Sequence, residues 1–483
     1  MNDNFEMVVG LEVHVQVKSA SKIFCGCSTD FGSAPNSQTC PVCTGMPGVL
    51  PVLNKKVVED AIKTAYVLNC GIAGFSIFAR KNYFYPDLPK NYQISQYEKP
   101  LAGNGWVDVK VNGEIRKVGI VRVHLEEDAG KLIHDIGEGS LVDLNRTGMP
   151  LMEIVTTPCI NDSAQAYEYL KTLKVILQYM DVSDCDMEKG SLRCDANISV
   201  RKKGEKTLGT KTEIKNLNSF KAVQKALDYE AARHVEVLGG GGRIVQETRL
   251  WDEAAGRTSS MRSKEEAHDY RYFPEPDLVP VRVSKEWQET ILKGLPELPS
   301  KKYERFIKEY GLSEYDAGVL TAGRDTADYY EECLKKCSAA GNPKLCKTVA
   351  NWVTGDLLGH LNRDNTDIQK SPVPARMLAE MIGLIESGTI SGKIAKTVFS
   401  EMYSTSKPPM VIINEKNLVQ VSDTGEIGAI IDKVMEENQD AVRKYRAGKQ
   451  QALGHLVGQV MKKSQGKANP GLVNKLLVEK MKG

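Results

Sequence analysis

Four cysteines near the start of the chain have the spacing of a metal site. One residue separates Cys25 from Cys27, two separate Cys40 from Cys43, and a loop joins the two pairs. This arrangement lets four thiolates converge tetrahedrally on one Zn²⁺. Four thiolates leave no coordination position for water or substrate, so zinc bound here would be structural. The alternative is four unrelated buried thiols.

Acidic and imidazole side chains form a second group, because they interrupt segments that otherwise resemble core strands. Its members are Glu12, His14, His124, Glu126, Glu127 and Glu153. Carboxylates in core strands are unfavourable unless they are paired or bound to a metal. Several of them together suit Mg²⁺, which often contacts nucleotide phosphates as well. The alternative is a solvated sheet face with ion pairs to residues such as Arg122 and Arg146, and the pattern leaves both open.

Residues 81–93 crowd aromatics, prolines and the lysines Lys81 and Lys90 into an irregular loop that could line a pocket. An ordered surface loop is the competing interpretation. We find no standard nucleotide-binding motif in the sequence. The nearest to a P-loop is the segment 388–393 (GTISGK), which is one residue short and is followed by Ile394 rather than Ser or Thr.

The end of the chain is basic. Beyond residue 443 lysine and arginine far outnumber Glu479, and the residues that we consider for RNA contact are Arg443, Lys444, Arg446, Lys449, Lys462, Lys463 and Lys467. On amphipathic helices they would form a positive face for phosphate backbones. A solvated charged face is the alternative. Tyr445 is the only aromatic residue there, which favours contact with folded RNA over base stacking.

Hydrophobic periodicity predicts the elements that position these residues. Residues 7–17, 120–127 and 192–200 alternate like strands, and in the second of them Val121, Val123 and Leu125 should share the core face. Residues 55–68 and 163–180 have helical periodicity, and Asn218 or Ser219 could cap a further helix. An α+β fold with an antiparallel sheet follows. From about residue 284 the pattern is helical, with a linker at residues 405–409 before a basic helical tail.

Composition is that of an ordinary globular protein. The chain has 483 residues, a net charge of +2 and an odd number of cysteines, eleven, which does not suggest a disulfide framework. No apolar run approaches the roughly 20 residues that span a bilayer. The first residues do not resemble a signal peptide. We therefore expect a cytoplasmic protein with no membrane partner.

Long motifs in order along the whole chain give it a strong resemblance to a known family. They are GLEVHVQ (10–16), CPVC (40–43), YFYPDLPKNYQ (83–93), HLEEDAG (124–130), NRTGMPLMEI (145–154), GSLRCDANISVR (190–201), residues 212–219 and RYFPEPD (271–277). The chain resembles the B subunit of the tRNA-dependent amidotransferase that makes Gln-tRNA and Asn-tRNA indirectly.

The resemblance implies a cradle-shaped kinase domain with a zinc knuckle over residues 1–290. It also implies an all-helical domain over 291–405 and a small tRNA-binding helical tail over 410–483. The implied activity is ATP-dependent phosphorylation of Glu or Asp mischarged on tRNA(Gln) or tRNA(Asn), followed by amidation with ammonia. The implied partners are a glutaminase A subunit and a small C subunit in a heterotrimer.

The resemblance also assigns roles to single residues. Glu12, His14, Glu126 and Glu153 match the positions that bind Mg²⁺, and Glu127 matches the position where the ammonia passage meets the active site. Lys81 and Lys90 match the lining of that region. A non-catalytic, zinc-stabilised tRNA-binding scaffold is the alternative function, and the sequence leaves the choice between the two tRNA substrates open.

Overall fold

The computed structural model describes residues 4–134, 139–261, 269–339, 341–418, 424–464 and 468–482. Lys467 lies outside the described residues. The chain divides into two compact units, Met1–Leu298 and Pro299–Gly483. The bounds of the three predicted domains stay predictions.

Sixteen strands are found in the described residues, all in the first unit. Numbered β1 to β16 in chain order, they are Phe5–Gln16, Gly71–Ile72, Phe75–Ser76, Ala79–Asn82, Tyr92–Ser95, Ala102–Val111, Glu114–Glu127, Lys131–Ile133, Leu141–Asp143, Pro150–Thr156, Leu192–Lys202, Thr212–Lys215, Thr248–Asp252, Arg257–Ser260, Phe273–Pro274 and Val281–Arg282.

The α-helices follow the same convention. Numbered α1 to α16 in chain order, they are Lys55–Val67, Ser163–Tyr179, Phe220–Gly239, Lys285–Lys293, Pro299–Tyr310, Glu314–Thr321, Arg324–Lys336, Pro343–Asn351, Leu358–Arg363, Ala375–Glu386, Gly392–Thr405, Pro409–Glu415, Thr424–Glu437, Gln439–Arg446, Gln451–Lys463 and Pro470–Lys482. A π-helical turn, Trp352–Leu357, and a 3₁₀ turn, Ile368–Lys370, lie between α8 and α10.

A nine-stranded sheet, as far as the chain is described, organises the first unit in the order β14-β13-β12-β11-β1-β10-β7-β6-β2. Neighbouring strands are antiparallel except for β12 and β13, which are parallel. The apolar residues of β1, among them Leu11, Val13 and Val15, are fully buried in one core with residues of α1, α2 and α3. Their polar neighbours in β1 therefore point to the opposite face. The predicted α+β class with an antiparallel sheet is confirmed.

Side-chain caps fix where the three helices of this core begin. Asn54, Asp162 and Ser219 each accept a hydrogen bond from a backbone amide in the first turn of the following helix. Such caps satisfy amide groups that have no partner within the helix. Of the two predicted candidates, Ser219 caps the helix after β12.

One predicted strand face is wrong. Val121 does not share the core face with Val123 and Leu125, because β7 contains a bulge opposite β10: Arg122 pairs with Val155, and Ile120 pairs with Thr156. The extra residue is Val121, which is exposed, and Ile120 takes the buried position instead. A bulge places two residues against one and so shifts the alternation by one position.

Where it is described, the second unit is helical and holds two hydrophobic clusters. The first cluster includes Phe306, Tyr330 and Phe399 and extends to Ile412 and Ile413 in α12. The second cluster is formed by α13 to α16, with Leu456, Val460, Val473 and Leu477 at its centre. The helix after residues 405–409 therefore packs with the preceding helices, and the tail cluster begins at Ile427. No helix among the described residues is long and apolar enough to cross a membrane.

Gly105 in β6 offers a test of packing at the edge of the sheet. A Cβ atom at this position would overlap the backbone oxygen of Leu68 and the sulfur of Cys70. We expect Gly105→Ala to lower the free energy of unfolding by about 1–3 kcal/mol, the usual effect of overpacking, in a urea titration. Gly10→Ala is the control, because its nearest neighbours would lie 3.9 Å away. Equal stability of the two variants would contradict this packing.

Candidate active site

Three side chains from adjacent strands meet on the polar face of the sheet. His14 of β1 lies opposite Glu153 of β10, and Glu126 comes from the neighbouring strand β7. The Nε2 atom of His14 lies 3.4 Å from Oε2 of Glu153 and 3.7 Å from Oε1 of Glu126. One potential ligand atom from each residue falls within 4.8 Å of the others. These three residues are called the acidic cluster below.

His124, a member of the predicted acidic and imidazole group to which no ligand role was assigned, joins this cluster. It lies opposite Glu153 in the β7–β10 pairing. Its Nε2 atom is 3.3 Å from Oε2 of Glu153 and 3.7 Å from Oε2 of Glu126. The alternation of β7 placed His124 on the same face as Glu126, so the signal was present in the sequence. The register that brings it against Glu153 was not.

Glu12 lies outside this group of ligand atoms. Its side chain is on the same face of β1, two residues before His14, and it accepts a hydrogen bond of 3.0 Å from Nδ2 of Asn197. Burial raises the pKa of Glu12, and the nearby carboxylates of Glu153 and Glu213 raise it further. Three of the four predicted magnesium ligands are thus close together, and the role of Glu12 stays a prediction.

Opposite charges compensate each other within the acidic cluster. Burial by itself lowers the pKa of His124, but the neighbouring carboxylates of Glu126 and Glu153 outweigh it and raise the pKa to about 9. The pKa of His14 is raised for the same reason. Burial alone would raise the pKa of Glu153, yet the two histidines hold it well below its usual range. The cluster is therefore a set of ion pairs, and a divalent cation could replace the protons of the imidazoles.

Glu127 points to the other side of β7 from Glu126 and pairs with Lys90. Both side chains of this ion pair are buried. The Oε1 atom of Glu127 also accepts a hydrogen bond of 2.8 Å from the backbone amide of Ile94. Lys90 and Glu127 line a cavity of about 210 Å³ together with Cys25 and Cys43.

Lys81 takes a different position from Lys90. Its ammonium group lies 4.8 Å from the ring centroid of Tyr270 and 5.8 Å from that of Tyr83. In the described part of the chain the cavity lining includes Lys90 but not Lys81. The two predicted pocket lysines therefore have different surroundings.

The four cysteines converge as their spacing predicted. The sulfur atoms of Cys25, Cys27, Cys40 and Cys43 lie within 4.8 Å of one another. A hydrogen bond from Cys25 is the main reason that the pKa of Cys43 is lowered, to about 4. Such a set of four thiols has the donor chemistry of a structural zinc site.

A buried lysine that the sequence did not reveal supports the cysteine site. Lys22 is fully buried, and its ammonium group donates a hydrogen bond of 2.7 Å to the carbonyl of Gln38. The same nitrogen lies 3.7 Å from the sulfur of Cys43. A buried ammonium requires a negative partner, and a thiolate can serve as one.

The basic residues predicted for RNA contact lie on exposed positions of the tail helices and their connections. They are Arg443, Lys444, Arg446, Lys449, Lys462 and Lys463. Arg443 pairs with Asp440 at 2.9 Å, and Lys463 pairs with Glu437. The positive surface is therefore partly neutralised within the tail itself.

Comparisons with known proteins agree with these observations. The family described as "GatB/GatE catalytic domain" matches residues 7–289, and the one described as "GatB domain" matches residues 328–481. The chain is 58% identical over 481 residues to the B subunit of the aspartyl/glutamyl-tRNA(Asn/Gln) amidotransferase of Carboxydothermus hydrogenoformans, and the similarity covers 99% of each chain.

Two further relatives carry the same description. The protein of Caldanaerobacter subterraneus is 57% identical over 477 residues, 99% of each chain. That of Geobacter sulfurreducens is 56% identical over 484 residues, covering 99% of this chain and all of the relative. The two family descriptions match residues 7–289 and 328–481, and the similarities to these relatives extend over nearly the whole chain. The chain therefore belongs to the GatB family.

Proposed function

We propose that this protein activates the side-chain carboxylate of Glu or Asp mischarged on tRNA and then converts it to the amide. The observation that carries the proposal is the acidic cluster, in which His14, Glu126 and Glu153 bring three potential ligand atoms within 4.8 Å of one another. The relatives at 55–58% identity are named as amidotransferase subunits with these tRNA substrates.

The chemistry accounts for the need for such a cluster. A carboxylate is a poor electrophile until one of its oxygens becomes part of a leaving group. One carboxylate oxygen attacks the γ-phosphorus of ATP, ADP leaves, and an acyl phosphate forms. The nitrogen of ammonia then attacks the carbonyl carbon, phosphate leaves with the C–O electron pair, and the nitrogen loses a proton. Phosphoryl transfer depends mainly on positioning and charge neutralisation rather than on a protein nucleophile.

Glu126 and Glu153 are the residues that would hold Mg²⁺, because hard cations take carboxylate oxygens as ligands. His14 and, from the family resemblance, Glu12 would complete or orient this set. Mg²⁺ bound there would neutralise charge on the phosphates of ATP. Ser95 donates a hydrogen bond of 3.1 Å to Glu126, which fixes the orientation of that carboxylate.

The buried Glu127–Lys90 pair is our candidate for the point where ammonia enters. Glu126 and Glu127 are consecutive residues on opposite sides of β7, so a group bound at the cavity is separated from the acidic cluster by one strand. If an ammonium ion replaced Lys90 as the partner of Glu127, the Glu127 carboxylate could accept a proton from that ion and release ammonia. Lys81 lies apart from the described lining of this cavity and packs against the ring of Tyr270, so we assign it no part in ammonia entry.

The chain requires partners for the complete reaction. We propose that a glutaminase A subunit delivers ammonia and that a small C subunit completes a heterotrimer, in the cytoplasm where translation takes place. The four cysteines hold a structural Zn²⁺, and the basic tail contacts tRNA. A non-catalytic scaffold is not favoured, because a scaffold has no use for carboxylates buried in the middle of a sheet.

Glu126→Gln should abolish the activation step. Removing one charged ligand from a preorganised site is expected to slow transfer by about 100-fold or more. The measurement is phosphate release from ATP by the reconstituted complex, dependent on Glu-tRNA(Gln) or Asp-tRNA(Asn). Glu114→Gln on the same strand is the control, because Glu114 is exposed. tRNA affinity should be unchanged in both variants, and full activity of Glu126→Gln would refute the assignment.

Zinc content provides a separate test. The purified protein should contain about one zinc per chain, and Cys40→Ser combined with Cys43→Ser should remove it and lower the melting temperature. Elemental analysis and thermal denaturation give the two readouts. Cys70→Ser is a suitable control, because Cys70 is buried but is not part of the four-cysteine group. A structural zinc would be excluded if the wild-type protein contained no zinc and had the same melting temperature as the Cys40→Ser, Cys43→Ser variant.

The tail can be tested without truncation. Lys444→Glu combined with Lys449→Glu should weaken tRNA binding. Because each lysine would neutralise about one phosphate, the slope of log K against the logarithm of the salt concentration should fall by about one for each residue replaced. Filter binding at several salt concentrations measures both effects. Lys433→Glu, an exposed position on α13 of the same cluster, is the control. An unchanged affinity and slope would count against the tail as the RNA contact.

A further inference from the structure

Two tyrosines that are far apart in the chain stack against each other near the acidic cluster. The rings of Tyr97 and Tyr272 are parallel, with an interplanar angle of 5° and centroids 4.1 Å apart. Tyr270 packs edge-to-face with Tyr272, with the ring centroids 6.0 Å apart, and Tyr83 packs in the same way with Tyr270, with the centroids 6.1 Å apart. The Tyr97–Tyr272 pair is therefore one end of a continuous row of aromatic rings.

The pair is not part of the hydrophobic core. Tyr97 is 49% exposed, whereas core tyrosines of the same unit, such as Tyr169 and Tyr179, are almost fully buried. Stacking on Tyr272 covers one face of the Tyr97 ring and leaves enough surface for another planar group. Exposed aromatic faces of this kind bind bases irrespective of their sequence, because every base has a π-face.

The backbone on both sides of the pair is held firmly. Gln96, next to Tyr97, is buried, and its side-chain oxygen accepts hydrogen bonds from the backbone amides of Leu101 and Leu125, at 3.2 and 3.0 Å. Close to Tyr272, Glu275 forms a two-point ion pair with Arg80, at 2.7 and 2.9 Å. A ring held in place loses little conformational freedom when a ligand binds.

The pair also lies beside the acidic cluster. Ser95, two residues before Tyr97, donates its hydrogen bond to Glu126. Burial is the main cause of the raised pKa of Tyr272, and the charges of Glu126, Tyr270 and Glu153 raise it further. A nucleotide with its base on the tyrosines could therefore have its phosphates near the acidic cluster.

We propose that Tyr97, supported by Tyr272, stacks on a nucleobase and so forms a base-binding subsite next to the acidic cluster. This inference rests on the proposed function, which supplies two ligands of this chemistry. One is the adenine of ATP, and the other is the adenine at the 3′ end of the tRNA that carries the amino acid. Stacking alone recognises both, and the experiment distinguishes them.

The test measures binding by the full-length chain in its complex. One titration uses a non-hydrolysable ATP analogue with Mg²⁺, and the other uses acceptor-stem hairpins that end in CCA or in CC. Tyr97→Ala should weaken one of these interactions by about tenfold, the usual scale for loss of one stacked base. Loss for the analogue identifies the base of ATP. Loss for the CCA hairpin, with CC binding unchanged, identifies the end of the tRNA.

Two further variants make the result specific. Tyr97→Phe keeps the ring and should bind like the wild type. Tyr66→Ala removes a tyrosine of nearly equal exposure, 48%, on α1 of the same unit and should have no effect. Unchanged binding of both ligands by Tyr97→Ala would overturn the proposal. So would equal losses in Tyr97→Ala and Tyr97→Phe, or in Tyr97→Ala and Tyr66→Ala.

Failure of this proposal can be told apart from failure of the proposed function. If only the subsite is wrong, the wild-type complex still releases phosphate in response to mischarged tRNA, and Tyr97→Ala has the wild-type KM. If the function is wrong, the wild type releases no phosphate, whereas the binding titrations still report on Tyr97. With both correct, Tyr97→Ala raises the KM of one substrate and changes kcat much less.

Discussion

The antiparallel pairing of β1 with β10 is the constraint on which the candidate site depends. In this register His14 lies opposite Glu153, and Glu153 in turn lies opposite His124 on β7. Side chains directly opposite each other share a face and are close enough to interact. A slip by one residue would turn these charged groups into the core and bring Val13 and Val15 to the surface. Burial of the apolar face therefore also fixes the geometry of the polar face.

The charges of the cluster stabilise the fold only within a range of pH. The pKa of His124 is raised to about 9, so the contribution of this residue to the free energy of unfolding is complete below the ordinary histidine pKa near 6.5. It is lost as the pH rises through 9. The lowered pKa values of Glu126 and Glu153 mean that their contribution is present above about 4.5 and is lost as the pH falls through the lowered values. The protonated histidines thus balance the negative charge of the two carboxylates.

Local features of the fold could be predicted from the sequence, whereas registers could not. The alternation of β1 and β11 identified both faces, and the cysteine spacing brought the four thiols together, because each pattern involves neighbours along the chain. The bulge at Val121 was missed, since it depends on how β7 pairs with β10. The meeting of His14, Glu126 and Glu153 was left open for the same reason, because more than 100 residues separate His14 from Glu126. Lys22 was missed because nothing in its sequence context indicates burial beside a thiol.

The alternation of β7 also explains how one strand can contribute side chains both to the acidic cluster and to the cavity. Consecutive residues of a strand point to opposite faces, so Glu126 contributes to the acidic cluster while Glu127 faces the cavity beside Cys25 and Cys43. At the cavity, a Cβ atom on Gly148 would lie 3.3 Å from Cβ of Cys43 and 3.9 Å from Oε2 of Glu127. A Cβ atom on Gly45, two residues after Cys43, would overlap Cγ of Lys90, so the cysteine loop packs closely against the buried Glu127–Lys90 pair. A structural metal in that loop would hold one wall of the cavity, and the reacting groups themselves would lie on the other side of the strand.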